Sequence, residues 1–422
     1  MEKTKTIRPM NLSPFVACVP GSKSHTHRVL IAAALASGSS RVANGLVCDD
    51  TDHTAHGLCR MGARITKDGS DFIVQGVNGR PGPCREPIDL GNSGTSMRLL
   101  TAVASLGTGT YTLTGTQRMK ERPIGDLADA LAALDVRITT QSPGGCPPVE
   151  VEGTVIGKSQ TTVRCALSSQ FLSGLLLIGP YTQNGLHITV SQGPVSRPYV
   201  DMTLAVMRDF GVDVQREGYV KFFVPSQRKY VPGLHQVEPD ASSASYFWAA
   251  AAITGASVTV AGISPGSVQG DARFASVLEQ MGCQVRQTEQ GLCVTGGNLS
   301  GIRVNMADMP DMVPTLAVVA AYARGTTRIT DVSHLKAKES DRLGCVAQEL
   351  AKMGILAQAG EDGLVIEGGE PMAASIETHD DHRLAMSFAV AGLKAPGTVI
   401  LDPGCVEKSF PGFWEEWERM TS

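Results

Sequence analysis

Along this chain, short polar stretches rich in small residues repeatedly introduce runs of alanine, leucine and valine. The starts are Gly21-Ser22-Lys23-Ser24, Gly91-Asn92-Ser93-Gly94-Thr95, Ser168-Ser169-Gln170, Asp240-Ala241-Ser242-Ser243, Pro310-Asp311 and Asp380-Asp381-His382-Arg383. They recur about every 70 residues, the mark of a repeat. Runs such as Val29-Leu30-Ile31-Ala32-Ala33-Ala34-Leu35 are apolar on every side and predict interior helices. A second, amphipathic pattern follows in most repeats, as in Leu127–Leu134, Leu204–Gly211 and Glu349–Gly354, the last two stopping at glycine. Short alternating segments such as Val136-Arg137-Ile138-Thr139 and Gln284-Val285-Arg286 then predict strands. Each repeat reads β-α-β-α-β-β. Six repeats divide as three and three, with a seam near Leu234-His235-Gln236-Val237. The last ends early at Trp414-Glu415-Glu416-Trp417, and Thr6-Ile7-Arg8-Pro9-Met10 is expected to supply its missing strand, so that the chain crosses twice between domains.

The first polar start carries candidate chemistry. Ser22 or Ser24 can cap the helix, leaving backbone N–H groups and a positive dipole end for an anion, and Lys23 and Arg28 add two charges. It is not a phosphate-binding P-loop, because Ser22 stands where that loop needs glycine before the lysine. An ordinary capped helix with solvated basic residues is the competing reading. Further cationic and polar groups sit at corresponding places: Arg98, Gln170 and Arg383 at helix starts, Arg118-Met119-Lys120-Glu121-Arg122-Pro123 and Lys336-Ala337-Lys338-Glu339-Ser340-Asp341-Arg342 in loops, and Lys408 near the end. Together they fit a ligand with several anionic groups, phosphate or carboxylate. Taken singly, Arg122-Pro123 reads as a surface turn, Lys338–Arg342 as a solvated charge run and Asp311 as a helix cap. Asp49-Asp50-Thr51-Asp52-His53-Thr54-Ala55-His56 has carboxylates and histidines but no partner cluster of metal-ligand spacing, so it reads as an acidic helix cap and no metal is expected.

Composition narrows the class. The 422 residues suggest two or three domains, and 37 basic against 41 acidic residues leave a net charge of −4. A general nucleic-acid surface is thereby disfavoured, and any basic cluster must be local. Ten cysteines without a C-x-x-C pair, with Cys18, Cys59, Cys165 and Cys345 in apolar contexts, read as reduced core residues of a cytoplasmic protein. No signal-peptide core follows Met1, and no apolar run is long enough for a membrane span.

Nine ordered segments carry a family resemblance: Pro20-Gly21-Ser22-Lys23-Ser24 with Arg28, Gly91–Thr95 with Arg98, Arg118–Pro123, Ser168-Ser169-Gln170-Phe171, Asp240–Ala244, Pro310-Asp311, Lys338–Leu343, Asp381-His382-Arg383 and Lys408-Ser409-Phe410-Pro411. Over residues 20–413 the chain resembles the 5-enolpyruvylshikimate-3-phosphate synthases, the 3-phosphoshikimate 1-carboxyvinyltransferases among the enolpyruvyl transferases. The resemblance implies an α/β fold, a two-domain inverted α/β barrel with three repeats per domain. It implies domains of residues 21–237 and of 1–20 with 238–422, closing on their substrates. It also implies transfer of the enolpyruvyl group of phosphoenolpyruvate to the 5-hydroxyl of shikimate 3-phosphate, through a tetrahedral intermediate, in aromatic amino acid biosynthesis. Lys23, Ser24, Arg28, Ser168, Ser169, Gln170, Ser196, Tyr199, Asp311 and Lys338 would hold shikimate 3-phosphate. Lys23, Gly94, Arg122, Gln170, Arg342, Arg383 and Lys408 would hold phosphoenolpyruvate. Asp311 would accept the hydroxyl proton, Glu339 would protonate the methylene carbon, and Lys23 would assist. No cofactor, nucleic acid or membrane is implied, the protein is expected to be a monomer, and glyphosate is the family's characteristic inhibitor.

Three positions depart from the family pattern: His27 and His334 where asparagine is expected, and Leu99 where many relatives have proline. Either histidine can still donate a hydrogen bond. The sister enolpyruvyl transferase that acts on UDP-N-acetylglucosamine carries a reactive cysteine in its active-site loop, and Lys120–Asp126 has none. A non-catalytic anion receptor remains the alternative of another class, although Asp311 and Glu339 among the cations would only repel its ligand.

Overall fold

The computed structural model describes residues 3–9, 12–226 and 228–421. The chain separates into two compact units, Gly21–Val237 and Met1–Pro20 with Glu238–Ser422. In the first unit the helices are α1 (Lys23–Leu35), α2 (Asp49–Arg60), α3 (Gly94–Ala104), α4 (Gly125–Ala132), α5 (Gln170–Ile178) and α6 (Arg197–Asp209). In the second they are α7 (Ala241–Thr254), α8 (Phe274–Gln280), α9 (Val313–Ala321), α10 (Arg342–Lys352), α11 (His382–Gly392) and α12 (Phe413–Thr421).

The odd-numbered helices are the apolar runs. Every residue of α9 and α11 is buried, as is every residue of α1 except Ser24. Within the first unit α1, α3 and α5 touch one another, and within the second α7, α9 and α11 do. The even-numbered helices are amphipathic: α10 buries Leu343, Val346 and Leu350, with Arg342 and Glu349 buried beside them, and leaves the rest of its polar positions less covered. Around each trio lie three sheets whose strands alternate buried and exposed residues, as in Gln160–Arg164 and Leu186–Gln192. Four of the six sheets hold a parallel pair joined through a buried helix, the other two hold a parallel pair of strands remote in sequence, and the remaining pairs are antiparallel. The β-α-β-α-β-β reading therefore holds, and in each unit it is turned inside out, with helices at the centre and sheets outside.

The strands that complete three of these sheets come from the ends of the units. The N-terminal strand is Thr4–Thr6, not Thr6–Met10, and it pairs antiparallel with Val399–Leu401 of the last repeat. The N–H of Ile7 extends that pairing to the Thr398 carbonyl at 2.9 Å, and Met10 lies outside the described residues. Phe15–Ala17 is a second, unexpected strand, parallel to Ser257–Ala261 in the fourth repeat. The expected seam is itself a strand: Leu234–Gln236 runs parallel to Ser37–Ala43 and completes the first repeat.

Two smaller expectations are corrected. All ten cysteines are free, but Cys18 and Cys59 are exposed and Cys345 is half-buried; of the four placed in the core, Cys165 alone is buried. Cys59 lies on the outer side of amphipathic α2, and Cys18 follows the end of a strand, so their apolar neighbours in sequence are not neighbours in packing. Among the described residues no helix is long and apolar enough to cross a membrane.

Asp240 shows how a buried helix is started. Its carboxylate accepts from the N–H groups of Ser242 at 2.7 Å and Ser243 at 3.1 Å, and Gly255 closes the helix with φ of 82°. Asp240→Ala should lower unfolding stability by about 1–2 kcal/mol, and Asp240→Asn by much less. Urea denaturation of the two variants checks this.

Candidate active site

In the unit Gly21–Val237, Ser22 occupies the cap position of α1 with extended dihedrals, yet its hydroxyl makes no capping bond. The expected cap is therefore positional only. Lys23 follows at once, buried, and its Nζ donates to Asp50 Oδ2 at 2.9 Å. Asp50 sits in the first turn of α2 with Asp49 and Asp52. The acidic segment does open a helix, and the sequence marks Asp50 only as part of its cap. Its role as the lysine's partner was missed, because nothing in local spacing links residues 23 and 50.

One helical turn on, Arg28 is 1% exposed. Its Nε donates to Thr203 Oγ1 at 2.7 Å, one Nη to the Ser24 carbonyl at 2.7 Å and the other to Ser173 Oγ at 3.4 Å, while the Tyr199 ring lies 5.9 Å away. These partners are all neutral. Burial pulls the guanidinium down to about 10, with Tyr199 opposing. A buried cation on neutral partners is costly unless an anion arrives. Thr203 and Ser173 were not anticipated. Ser169 caps α5 by position and Ser196, with φ of 54°, stands at the cap position of α6; both helices pack on α1, and the first turn of α6 brings Tyr199 beside Arg28.

The second buried helix, α3, contributes Gly94. A Cβ built there would lie 2.4 Å from an Nη of Arg122 and 2.8 Å from one of Arg98. Arg122 is 3% exposed and donates to the Asn92 carbonyl at 2.9 Å and its Oδ1 at 3.1 Å, so the surface-turn reading fails. Arg98 donates to Gln170 Oε1 at 2.9 Å, and Gln170 Nε2 to Thr95 Oγ1 at 2.9 Å. Gly94, Arg98, Arg122 and Gln170 thus form one connected corner.

In the other unit the organising group is Arg342, at the start of α10 and 1% exposed. Its Nε and one Nη grip Asp381 at 2.8 and 3.2 Å, the other Nη donates to Asp311 Oδ1 at 2.9 Å, and Glu339 Oε2 accepts at 2.8 Å. Arg383 adds a 2.8 Å bond to Asp311 Oδ2, and Lys338 Nζ lies 3.7 Å from Oδ1. The Lys338–Arg342 segment is therefore no solvated charge run. Nor is Asp311 a cap: it lies in the turn Pro310–Met312 ahead of α9 and makes no capping bond. Burial raises the Asp311 pKa, but Arg383, Lys338 and Arg342 outweigh it and hold the carboxyl well below the usual range, with Glu339 opposing. Burial also disfavours the Arg342 cation, and Asp381, Glu339 and Asp311 reverse that and raise its pKa. Burial raises the pKa of Asp380, and Lys408, half-buried at the end of Pro403–Lys408, opposes that rise without cancelling it.

His334 is 4% exposed in Ser333–Ala337, and its Nε2 has no hydrogen-bond partner among the described residues. Burial and then Lys338 push it down to about 4, against Asp311 and Asp362, so it is neutral at pH 7.

Ionised carboxylates set among guanidinium and ammonium groups, at the starts of buried helices in β-α-β-α-β-β repeats, define a protein that handles small polyanions with acid–base groups at hand. A family model described as EPSP synthase (3-phosphoshikimate 1-carboxyvinyltransferase) matches residues 9–417. A 3-phosphoshikimate 1-carboxyvinyltransferase of Syntrophobacter fumaroxidans is 43% identical over 99% of this chain and 100% of its own. One of Methanoculleus marisnigri is 46% identical over 94% of each. The solved EPSP synthase of Acinetobacter baumannii superposes with a TM-score of 0.82 at 31% identity, covering 100% of this chain and 98% of that one. The chain belongs to the EPSP synthase (3-phosphoshikimate 1-carboxyvinyltransferase) family, and it is an enzyme of that family.

The buried neutral His334 carries a pH signature. Its folded pKa of about 4 lies below the unfolded value, so its contribution is complete above pH 6.5. Between pH 6.5 and 4 the unfolded chain takes up a proton that the folded one refuses, and stability falls by up to about 3 kcal/mol. His334→Asn should lack that part of the acid slope. Urea midpoints at pH 7 and 4.5 for both proteins test it.

Proposed function

We propose that the residues described above carry out the family's reaction, transferring the enolpyruvyl group of phosphoenolpyruvate to the 5-hydroxyl of shikimate 3-phosphate. The observation that carries this reading is the pair of carboxylates, Asp311 and Glu339, held on one buried guanidinium beside Arg383 and Lys338. A receptor for anions gains nothing from buried carboxylates, whereas addition followed by elimination needs a proton acceptor and a proton donor.

In this assignment Lys23, Ser24, Arg28, Ser168, Ser169, Gln170, Ser196, Tyr199, Asp311 and Lys338 hold shikimate 3-phosphate. Arg28 supports it, since an anionic phosphate would compensate a guanidinium that has only neutral partners. Lys23, Gly94, Arg122, Gln170, Arg342, Arg383 and Lys408 hold phosphoenolpyruvate. The 5-hydroxyl oxygen bonds to C2 of phosphoenolpyruvate as its proton passes to Asp311, and C3 takes a proton from Glu339 in its carboxylic acid form. The intermediate then gives a C3 proton back to the Glu339 carboxylate and breaks the C2–O bond to phosphate, restoring the double bond. Lys23 balances charge on the departing phosphate.

The low pKa of Asp311 bears on this mechanism. With Arg383, Lys338 and Arg342 all directed at it, the carboxylate is a weak base. Substrate anions that take up those cations release it from their field and raise its proton affinity. The base is thus armed by substrate binding. Asp311→Ala and Glu339→Gln should each lower kcat by about 10²-fold or more. Phosphate release on mixing the two substrates is the measurement; near-normal turnover by Asp311→Ala leaves that carboxylate a structural role only.

Gly94 generates a second test. A methyl there meets the Arg122 guanidinium inside contact distance, so the arginine must move. Gly94→Ala should raise KM for phosphoenolpyruvate by about tenfold, within the roughly 1–3 kcal/mol that overpacking costs. The larger glyphosate molecule should lose more, its inhibition constant rising further than KM. Dose–response curves at matched phosphoenolpyruvate measure both, and a wild type already resistant to glyphosate would refute the premise.

A further inference from the structure

Beneath Lys23 and Gly94 lies a chain of buried hydrogen bonds with no part in the assignments above. His27 Nδ1 is 2.7 Å from Thr54 Oγ1, Thr54 Oγ1 is 2.7 Å from Ser96 Oγ, and Ser96 Oγ is 2.7 Å from Ser93 Oγ and 3.1 Å from the Asp50 carbonyl. His27, Thr54, Ser93 and Ser96 are fully buried. The carbonyl can only accept, and that fixes the direction of every bond. Ser96 donates to Asp50, leaving its oxygen to accept from Thr54 and from Ser93. With its proton directed at Ser96, Thr54 must accept, so His27 Nδ1 carries a hydrogen. The Ser93 oxygen in turn accepts from the Ser96 N–H at 3.4 Å, capping α3.

This chain joins the starts of three helices. His27 lies on α1 with Lys23, Asp50 opens α2 and holds Lys23, and Ser93 caps α3 immediately before Gly94. We infer that His27 is a positioning residue: through Thr54 and Ser96 it sets the Asp50 main chain that holds Lys23 and the Ser93 cap that holds Gly94 against Arg122. The inference rests on the reading of Lys23 and Gly94 as phosphoenolpyruvate contacts. It also accounts for histidine where asparagine is expected, because an Asn side-chain N–H can donate to Thr54 in the same direction.

The test is kinetic, with a spectroscopic control. His27→Leu removes the donor and Thr54→Val removes the relay at nearly constant volume. Each should raise KM for phosphoenolpyruvate about tenfold, the scale of one lost buried hydrogen bond, with kcat changing much less. The double variant should be little worse than either single one, since both cut the same chain. His27→Asn should restore KM to near the wild-type value. In the wild type, ¹⁵N NMR of the imidazole should show hydrogen on Nδ1. Thr54→Val keeps the question open to experiment should His27→Leu not fold. Folded variants with lowered Tm and wild-type KM, or a His27 with hydrogen on Nε2 only, would overturn the positioning role while leaving the enzyme's function intact. A wild type that releases no phosphate from the two substrates would overturn the functional reading itself, and this role with it.

Discussion

A helix buried on every side has no polar face, so its only outlets for charge and hydrogen bonding are its ends. That constraint governs both units. Each of the six buried helices must begin in a segment that satisfies or uses its unpaired N–H groups, and these segments are where polar residues collect. Asp240 and Asp381 meet the need with a carboxylate and Ser93 with a hydroxyl, whereas Ser22 and Ser169 make no side-chain cap. The starts without a side-chain cap are those of α1, α5 and α9, which carry Lys23, Gln170 and Asp311. Helix ends left open beside a cation are suited to an anionic ligand, so the packing requirement and the binding chemistry have a common origin.

Two buried guanidiniums show how differently the same group can be used. Arg28 has hydroxyls, a carbonyl and an aromatic ring around it, and burial weakens its hold on its proton. Arg342 has Asp381, Asp311 and Glu339, and holds its proton more firmly than usual. The first environment lacks an anion, which on our proposal the substrate supplies. The second already has three carboxylates around its cation and holds two of them, Asp311 and Glu339, in place. Asp381 is the anchor, for it is fully buried, caps α11 and also accepts from Ser340 at 3.0 Å. Removing Arg342 would strand that carboxylate, whereas removing Arg28 would relieve a strained cation.

The helices were legible in the sequence because their signals are local. A capping residue, an apolar run and a terminal glycine lie within one short window, and six such windows at equal spacing reveal the repeat. The strands Phe15–Ala17 and Leu234–Gln236 were not legible, because each is three residues long and pairs across more than 190 positions of chain. For the same reason Arg122, Asp311 and Lys338–Arg342 each had a bland reading when taken alone. What distinguishes them is burial and partner, which only tertiary packing supplies. Asp50 shows the limit most clearly. Its place in an acidic helix start was evident, and its salt bridge to Lys23 was not.

The buried histidines extend the point from position to chemistry. His27 and His334 both stand where asparagine is expected, and in sequence they are the same kind of departure. In the fold they differ. His27 is locked into a hydroxyl chain ending on a carbonyl, so one ring nitrogen has its role dictated by groups two and three bonds away. His334 has an unpartnered Nε2 and lies in the fields of Lys338 and Asp311, where burial keeps it neutral. Both sites hold an uncharged polar side chain, but only at His27 is its hydrogen bond seen among the described residues. A charged imidazolium at His334 would stand beside Lys338 and compete for the Asp311 carboxylate, so burial that suppresses its charge leaves Asp311 to Lys338, Arg342 and Arg383. Histidine is tolerated there because the surrounding protein keeps it from behaving as a base.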